Sequence, residues 1–209
     1  MEMPLVTTRR EYCRTCYTCV RECPAKAIRI ADGQAQVLAD RCIACGNCVQ
    51  VCSQHAKQVA SSIESVNALL ASGSVVAACV APSFPAEFAF CDTSRVLGML
   101  RALGFGYVYD VGFGADLVSL RYRHLLEKAK DRRYITTNCP AVVGYVKRYH
   151  PGLVSSLAPL VSPMVAMARV VRTLHGPDVK IVFIGPCIAK KAEAADPDLP
   201  CEVNAVLTF

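Results

Sequence analysis

The 209 residues suffice for one domain or for a small module followed by a medium one, and a composition of 53% apolar and 19% charged residues excludes intrinsic disorder. The formal charge of +6 comes from scattered basic residues, whose densest group, residues 128–133, is typical of a solvated helix end, so we expect no nucleic-acid partner. No apolar run approaches the roughly 18 residues of a membrane span, and the first ten residues lack the apolar stretch of a signal peptide, so we expect a cytoplasmic protein.

An internal repeat of cysteines fills roughly the first 55 residues. Four cysteines recur 29 residues further along the chain with unchanged spacing, namely Cys13, Cys16, Cys19 and Cys23, then Cys42, Cys45, Cys48 and Cys52. Between the two runs, residues 27–30 and 36–37 flank an Asp-Gly pair. This pattern predicts a β-hairpin with a tight turn.

The remainder of the chain alternates predicted helices and strands. Apolar residues at helical spacing predict a first helix, and they are Val59, Ile63, Val66, Leu69 and Leu70. Predicted strands cover residues 75–80, 107–109, 134–137, 180–184 and 205–209, and further predicted helices cover residues 93–103, 115–129, 142–149 and 163–174. The alternation indicates an α/β layer with a mostly parallel sheet. Because an apolar element reaches the last residue, we expect the natural chain to continue.

Both cysteine runs have the spacing C-x2-C-x2-C-x3-C, and Pro24 completes the first. Bacterial ferredoxins hold 4Fe–4S clusters with this pattern, and the fourth cysteine of each run ligates the other cluster. The predicted ligands are Cys13, Cys16, Cys19 and Cys52 for one cluster, and Cys42, Cys45, Cys48 and Cys23 for the other. Zinc and disulfides are the weaker alternatives, because zinc sites usually lack the third cysteine of each run and reducing compartments disfavour disulfides.

The other five cysteines divide into two groups. Three show no ligand pattern and are expected to be structural, namely Cys79, Cys91 and Cys201. Cys139 and Cys187 each follow a predicted strand, and a third strand end carries residues 81–83. Ligands bind beyond the carboxyl ends of parallel strands, so these tips predict a metal or anion site, with packing and turn chemistry as an equal alternative.

The order of these motifs resembles the large subunit of FeFe-hydrogenases, from the cysteine repeats to residue 209. The resemblance is carried by residues 80–83 (VAPS), 109–117 (YDVGFGADL), 136–140 (TTNCP) and 185–193 (GPCIAKKAE). It implies an α+β ferredoxin-like two-cluster module over residues 1–56. An incomplete hydrogenase domain, α/β with a mostly parallel sheet, would follow over residues 57–209.

In that family, four cysteines hold a 4Fe–4S cube that bridges to a two-iron unit carrying CO and cyanide, and together these form the H-cluster. The resemblance implies that Cys139 and Cys187 are two of the four ligands. It also implies that Lys190 and Ser83 donate hydrogen bonds to the cyanides. The implied pocket comprises Ala81, Pro82, Ser83, Asn138, Pro186 and Lys190. The last two cysteine ligands would lie beyond residue 209.

Three positions depart from the catalytic members of the family. Asn138 replaces a cysteine that passes protons to the two-iron unit, and an amide is a poor proton relay. Arg121 and Tyr122 stand in the stretch where catalytic members carry glutamates, and the second motif begins with Gly185 instead of methionine. These departures resemble a sensory branch, in which a slow hydrogenase-like domain is joined to a signalling module.

Three functions stay open on the sequence. The first is a redox or hydrogen sensor, in which two 4Fe–4S clusters pass electrons to a hydrogenase-type cluster. It would work with a redox partner protein such as a ferredoxin and with a downstream signalling domain. The second is a fragment of a catalytic FeFe-hydrogenase, so the sequence leaves open whether the chain is an enzyme. The third is a stand-alone 4Fe–4S electron carrier or an iron–sulfur assembly factor without the two-iron unit.

Overall fold

The computed structural model describes residues 4–129, 132–197, 199 and 202–209. The chain divides into two compact units. Unit 1 comprises Met1–Ser61, Cys139–Ser155 and Cys187–Ala192, and unit 2 comprises Ser62–Asn138, Ser156–Pro186 and Glu193–Phe209. Two later segments therefore belong with the cysteine repeats, and the boundary after residue 56 stays a prediction. Cys201 and Lys130 lie outside the described residues.

Helices and strands alternate along most of the described chain. In chain order they are β1 (Val6–Thr8), α1 (Thr18–Arg21), β2 (Ile28–Ala31), β3 (Gln34–Val37), α2 (Asn47–Gln50), β4 (Lys57–Val59), α3 (Ile63–Ala71), β5 (Val76–Val80), α4 (Phe84–Glu87), α5 (Thr93–Ala102), β6 (Tyr107–Asp110), α6 (Gly112–Lys128), α7 (Pro140–Tyr149), the 3-10 helix Pro151–Ser156, α8 (Pro163–His175), β7 (Lys180–Ile184), α9 (Ala189–Ala194) and β8 (Ala205–Leu207). None of the described helices is both long enough and apolar enough to cross a bilayer.

Short antiparallel pairs frame the cysteine repeats of unit 1. Strand β1 pairs with β4, and β2 pairs with β3. The second pair is the predicted hairpin, and its turn residues Asp32 and Gly33 have φ of 51° and 68°. A type I′ turn needs positive φ at both central positions, and Asp-Gly adopts this conformation at little cost. The hairpin prediction is therefore confirmed.

Unit 2 is built around a parallel sheet whose described strands lie in the order β6-β5-β7-β8. Alternate residues of β5 enter two separate cores. Ala77 and Cys79 pack with residues of α8, whereas Ala78 and Val80 pack with Val66 of α3 and residues of α5. A strand buried on both faces needs an unbroken apolar run, which residues 76–80 supply. The fold class is thus an α+β iron–sulfur module with an α/β parallel-sheet domain.

One predicted strand and the start of one predicted helix are wrong. Residues 134–137 were expected to form a strand but contribute one isolated bridge, between Ile135 and Leu157. The backbone N–H of Thr137 donates to the Tyr122 hydroxyl at 2.8 Å, so it is not available to a neighbouring strand. Val59, expected in the first helix, instead pairs with Val6 between β4 and β1. The elements that sequence periodicity missed are six residues or shorter, which is too short for a helical or strand period to register.

Helices α6 and α8 approach closely at Gly114. A Cβ added there would lie 2.5 Å from the carbonyl oxygen of Pro163 and 3.1 Å from the Cβ of Met167. Neither neighbour can yield without moving α8, so we expect Gly114→Ala to lower the free energy of unfolding by about 1–3 kcal/mol. Urea denaturation followed by far-UV circular dichroism measures this change.

Gly98 provides the matched control, because it lies within α5 and a Cβ there would meet nothing within 4 Å. Gly98→Ala should raise the free energy of unfolding by about 0.5–1 kcal/mol through higher helix propensity. Equal stability of the two variants would contradict the close approach of α6 and α8.

Candidate metal centre

The two cysteine runs share one backbone conformation. Residues with positive φ recur at equivalent positions of the repeats, 29 residues apart, as Thr15 and Ala44, Tyr17 and Gly46, and Lys26 and His55. Left-handed backbone costs a non-glycine residue on the order of 1–3 kcal/mol and persists only where the surroundings impose it. Both loops therefore carry the same left-handed turn before a short helix and the same left-handed residue after the fourth cysteine, which is typical of a site built for a ligand.

The first predicted ligand set is drawn together from both runs. Burial raises the pKa of the Cys19 thiol, Lys57 opposes this rise, and the negative charges of Cys52, Cys13 and Cys16 add to it. Electrostatic influence of this kind requires the four thiols to be neighbours. Cys52, the fourth cysteine of the second run, thus lies with the first three cysteines of the first run, in the crossed arrangement that the spacing predicts.

The second predicted ligand set surrounds a cavity. Its walls include the four thiols predicted for that cluster, and the complete lining is Val6, Cys23, Pro24, Ala25, Ala27, Ile28, Val37, Cys42, Ile43, Ala44, Cys45, Gly46, Asn47 and Cys48. Apart from the thiols and Asn47, the side chains of this lining are apolar or absent. Cys23 comes from the first run and the other three thiols from the second, so the crossing is reciprocal.

The residues at both sites fit 4Fe–4S cubes. Backbone N–H groups donate to ligand sulfurs at equivalent positions, from Ala27 to Cys23 Sγ and from Ala56 to Cys52 Sγ, both at 3.3 Å. Such hydrogen bonds stabilise thiolate charge on a cluster and are part of how proteins tune reduction potentials. Burial raises the pKa of the Cys48 thiol to about 11. A cluster that binds there would therefore have to displace the thiol proton.

Cys139 and Cys187 both lie in unit 1, close to the second ligand set. Cys139 is the residue before α7, and Cys187 packs against a cluster formed by Ala44, Ala141 and Ala189. A Cβ added to Gly46 would lie 2.9 Å from Cδ1 of Ile188. The loop that carries Cys45 is therefore in direct contact with the loop that carries Cys187.

The other predicted pocket residues are divided between the units. Ala81, Pro82, Ser83, Asn138 and Pro186 belong to unit 2, and Lys190 belongs to unit 1. Within unit 2 the ends of β5 and β7 are adjacent, since a Cβ on Gly185 would lie 2.8 Å from the Cβ of Ala81. Lys190 is 8% exposed, and its backbone N–H donates to the carbonyl of Cys187 at 3.2 Å. The roles of these residues stay predictions.

Sequence reasoning missed the hydrogen bonds made by residues on either side of the Cys139 loop. Beside Asn138, the Thr137 hydroxyl donates to the Leu160 carbonyl at 2.6 Å and lies 3.1 Å from the Tyr122 hydroxyl. In unit 1, the Tyr149 hydroxyl lies 2.7 Å from the carbonyl of Ala25 and 2.8 Å from that of Arg41. These bonds join residues far apart in sequence, so no local sequence pattern predicts them.

Thiol reactivity tests this electrostatic arrangement in the protein without iron. A hydrogen bond from the Thr18 hydroxyl lowers the pKa of Cys16, whereas burial raises the pKa of Cys48 to about 11 and that of Cys79 to about 12. Because the thiolate is the nucleophile, iodoacetamide at pH 8 should modify Cys16 first. The rate at Cys48 should rise about tenfold per pH unit up to its pKa.

Mass spectrometry of quenched samples follows each cysteine separately. The same chain in urea is the control, in which the three cysteines should react at similar rates. Equal rates of Cys16 and Cys48 in the folded protein would contradict the arrangement.

Comparison with known proteins identifies two kinds of domain in the chain. Residues 74–209 match the C-terminal domain of the iron only hydrogenase large subunit, and residues 5–53 match a 4Fe-4S dicluster domain. The NADP-reducing hydrogenase subunit HndD of Solidesulfovibrio fructosivorans is 29% identical over 78% of this chain and 32% of its own length. The cytosolic Fe-S cluster assembly factor NAR1 of Yarrowia lipolytica is 27% identical over 50% of this chain and 23% of its own length.

A solved structure extends the likeness to the fold. The apo FeFe-hydrogenase HydA1 from Chlamydomonas reinhardtii has a TM-score of 0.59 and 26% identity, over 71% of this chain and 45% of that chain. The chain thus spans less than half the length of the relatives named here. The family match covers more than half of the chain. The chain is an iron–sulfur, hydrogenase-like protein, and it belongs to the iron-only hydrogenase large-subunit family.

Proposed function

We propose that two 4Fe–4S clusters in unit 1 pass electrons to a hydrogenase-type cluster site at Cys139 and Cys187, and that the protein acts as a redox or hydrogen sensor. The contact between Gly46 and Ile188 carries this proposal. It puts a ligand loop of the second predicted cube against the loop of Cys187. Electron exchange between clusters falls steeply with distance, so such a contact favours transfer.

The proposed route for electrons is supported by predicted ligand thiols that lie near one another. Cys19, a ligand predicted for the first cube, and Cys48, a ligand predicted for the second, pack in one core. Cys45 precedes Gly46 in the loop that contacts Ile188. When bound, the cubes supply one-electron redox chemistry. The chain's own residues hold them, exclude water with the apolar lining and fix their order.

The sensory part of the proposal rests on Asn138. A side-chain amide neither gives nor takes a proton near neutral pH, so this position cannot relay protons as a thiol would. The neighbouring Thr137 is held by the Tyr122 hydroxyl and the Leu160 carbonyl, which gives the loop a fixed structure in place of a relay. Slow turnover suits a sensor, because a sensor must respond to hydrogen without consuming it.

The proposed partners follow from this role. Electrons would come from or go to a redox protein such as a ferredoxin in the cytoplasm, and a downstream signalling domain would report the state of the clusters. A second candidate function is iron–sulfur assembly, which is favoured by the similarity to the assembly factor NAR1. An assembly factor would show 4Fe–4S signals without the infrared bands of CO and cyanide.

Replacing Cys52 tests the crossed ligand sets. We expect Cys52→Ala to lower iron and acid-labile sulfide by about half, because the first cube loses its fourth ligand. Iodoacetamide should then modify Cys13 and Cys16, while Cys42 and Cys45 stay protected. Cys79→Ala is the control, since this thiol is buried in β5 of unit 2 and its loss should leave the iron content unchanged. Exposure of Cys42 and Cys45 instead would show that each run holds its own cube.

Replacing Asn138 tests the sensory assignment. The full-length gene product, matured with a two-iron unit, should show CO and cyanide bands and slow hydrogen turnover. Asn138→Cys restores a titratable group and should raise turnover by about 100-fold, within the usual range for general acid–base catalysis. Asn138→Ala, which also removes the amide but adds no acid, should not. Fast turnover by the unaltered protein would contradict the sensory role, and missing CO and cyanide bands would favour the assembly factor.

A further inference from the structure

A buried lysine lies close to predicted ligands of both cubes. Lys57 is the first residue of β4, and only 7% of it is exposed. Its ammonium donates to Thr8 Oγ1 at 2.7 Å and to the carbonyl of Ala35 at 3.3 Å. Both acceptors are uncharged, so the positive charge of Lys57 is oriented but not neutralised by these hydrogen bonds.

The internal repeat shows that the loop itself does not require a lysine. Lys57 follows Ala56 in the second repeat as Ile28 follows Ala27 in the first, again 29 residues apart. Ile28 is also 7% exposed and packs in the core that contains Cys19 and Cys23. Burying an ammonium where the sister repeat buries an apolar side chain costs desolvation free energy. A charge retained at this cost indicates a role beyond packing.

Lys57 lies beside predicted ligands of both sets. Its ammonium donates to the carbonyl of Ala35, and Ala35 packs in the same core as Cys19 and Cys48. Cys19 belongs to the first predicted set and Cys48 to the second. In agreement with this placement, burial raises the pKa of both thiols and the charge of Lys57 opposes that rise. One ammonium is therefore positioned to act on both sites.

We propose that Lys57 sets the reduction potentials of both 4Fe–4S clusters, holding them less negative than an apolar residue at this position would. The inference rests on the proposed cluster sites. Each cube takes up one electron from an external reductant and passes from the 2+ to the 1+ core state, with its cysteine ligands unchanged. A fixed positive charge nearby stabilises the reduced state, and more strongly in an apolar interior than in water.

Because the same side chain acts on both clusters, it shifts their potentials in the same direction. The difference in potential that drives electrons from one cube to the other changes little. Both cubes become easier to reduce by a given partner, so Lys57 sets the range of donors that the module can accept. Thr8 and Ala35 have a positioning role, since they hold the ammonium in place.

The test is an anaerobic dithionite titration of the iron-loaded protein, followed by electron paramagnetic resonance. Lys57→Gln removes the charge but keeps an amide that can donate to Thr8 and Ala35. We expect both midpoint potentials to become more negative by at least 59 mV, a tenfold change in each one-electron equilibrium. Lys57→Met is a second neutral variant, with the same expected shift. Lys57→Arg keeps the charge and should stay within twofold of the unaltered protein, about 18 mV.

Arg29→Gln is the matched control, because it removes one positive charge from an exposed position of β2 in the same unit. Water screens that charge, so its removal should change the equilibria less than twofold. Potentials of Lys57→Gln within twofold of the unaltered protein, or an equal shift in Arg29→Gln, would overturn the inference. Loss of both clusters in Lys57→Gln would also overturn it, because Lys57 would then be a structural residue.

Iron and sulfide content separates this inference from the proposed function. Unaltered protein without clusters would refute the proposed function itself. Unaltered protein with both clusters, and potentials that do not respond to Lys57, would refute the tuning role alone.

Discussion

The sharing of predicted sulfur ligands between the two repeats is the constraint on which unit 1 depends. The fourth thiol of each run lies with the first three of the other, so neither loop has a complete set by itself. Each loop holds strained left-handed residues, and the thiol of Cys48 has a pKa raised by burial to about 11. The strain disfavours the folded loops without a cluster, whereas the raised pKa opposes the thiolate form that a cluster would bind. A cluster bound here would have to compensate for both, so its binding and the folding of this unit would be linked.

Unit 2 depends on a different constraint, the burial of its sheet on both faces. Strands β5 and β7 give alternate residues to two cores, and the helices on each face must pack closely enough to exclude water. Gly114 permits one such approach between α6 and α8. The rigid centre leaves the carboxyl ends of β5 and β7 adjacent, where Ala81 meets Gly185. This is the edge at which parallel sheets commonly bind their ligands.

The sequence predicts those parts of the molecule that depend on residues close together in the chain, such as a ligand spacing or a helical period. Cluster ligation requires a fixed cysteine spacing, so the spacing directly predicts the eight cysteines as ligands. Long periodic segments such as Pro163–His175 were placed within one or two residues. Short elements such as Phe84–Glu87 were missed, because four residues are too few for a helical period to be recognised. The expected strand at residues 134–137 failed because the Tyr122 side chain takes a backbone donor that the strand would need. Lys57 was missed because the apolar spacing assigned Val59 to a helix, so no pattern indicated a buried strand at Lys57–Val59.

The Tyr149 hydroxyl, at the end of α7, has a consequence for the order of assembly. It meets the carbonyl of Ala25 in the first repeat and that of Arg41 at the start of the second cysteine run. Both carbonyls belong to the cysteine repeats, so the hydroxyl finds its partners only where those repeats are already folded. The folded repeats then hold the C-terminal end of α7, the helix that begins after Cys139. If the repeats fold around two cubes as proposed, the cubes would come first in maturation, and the later cysteine loop would be positioned on them.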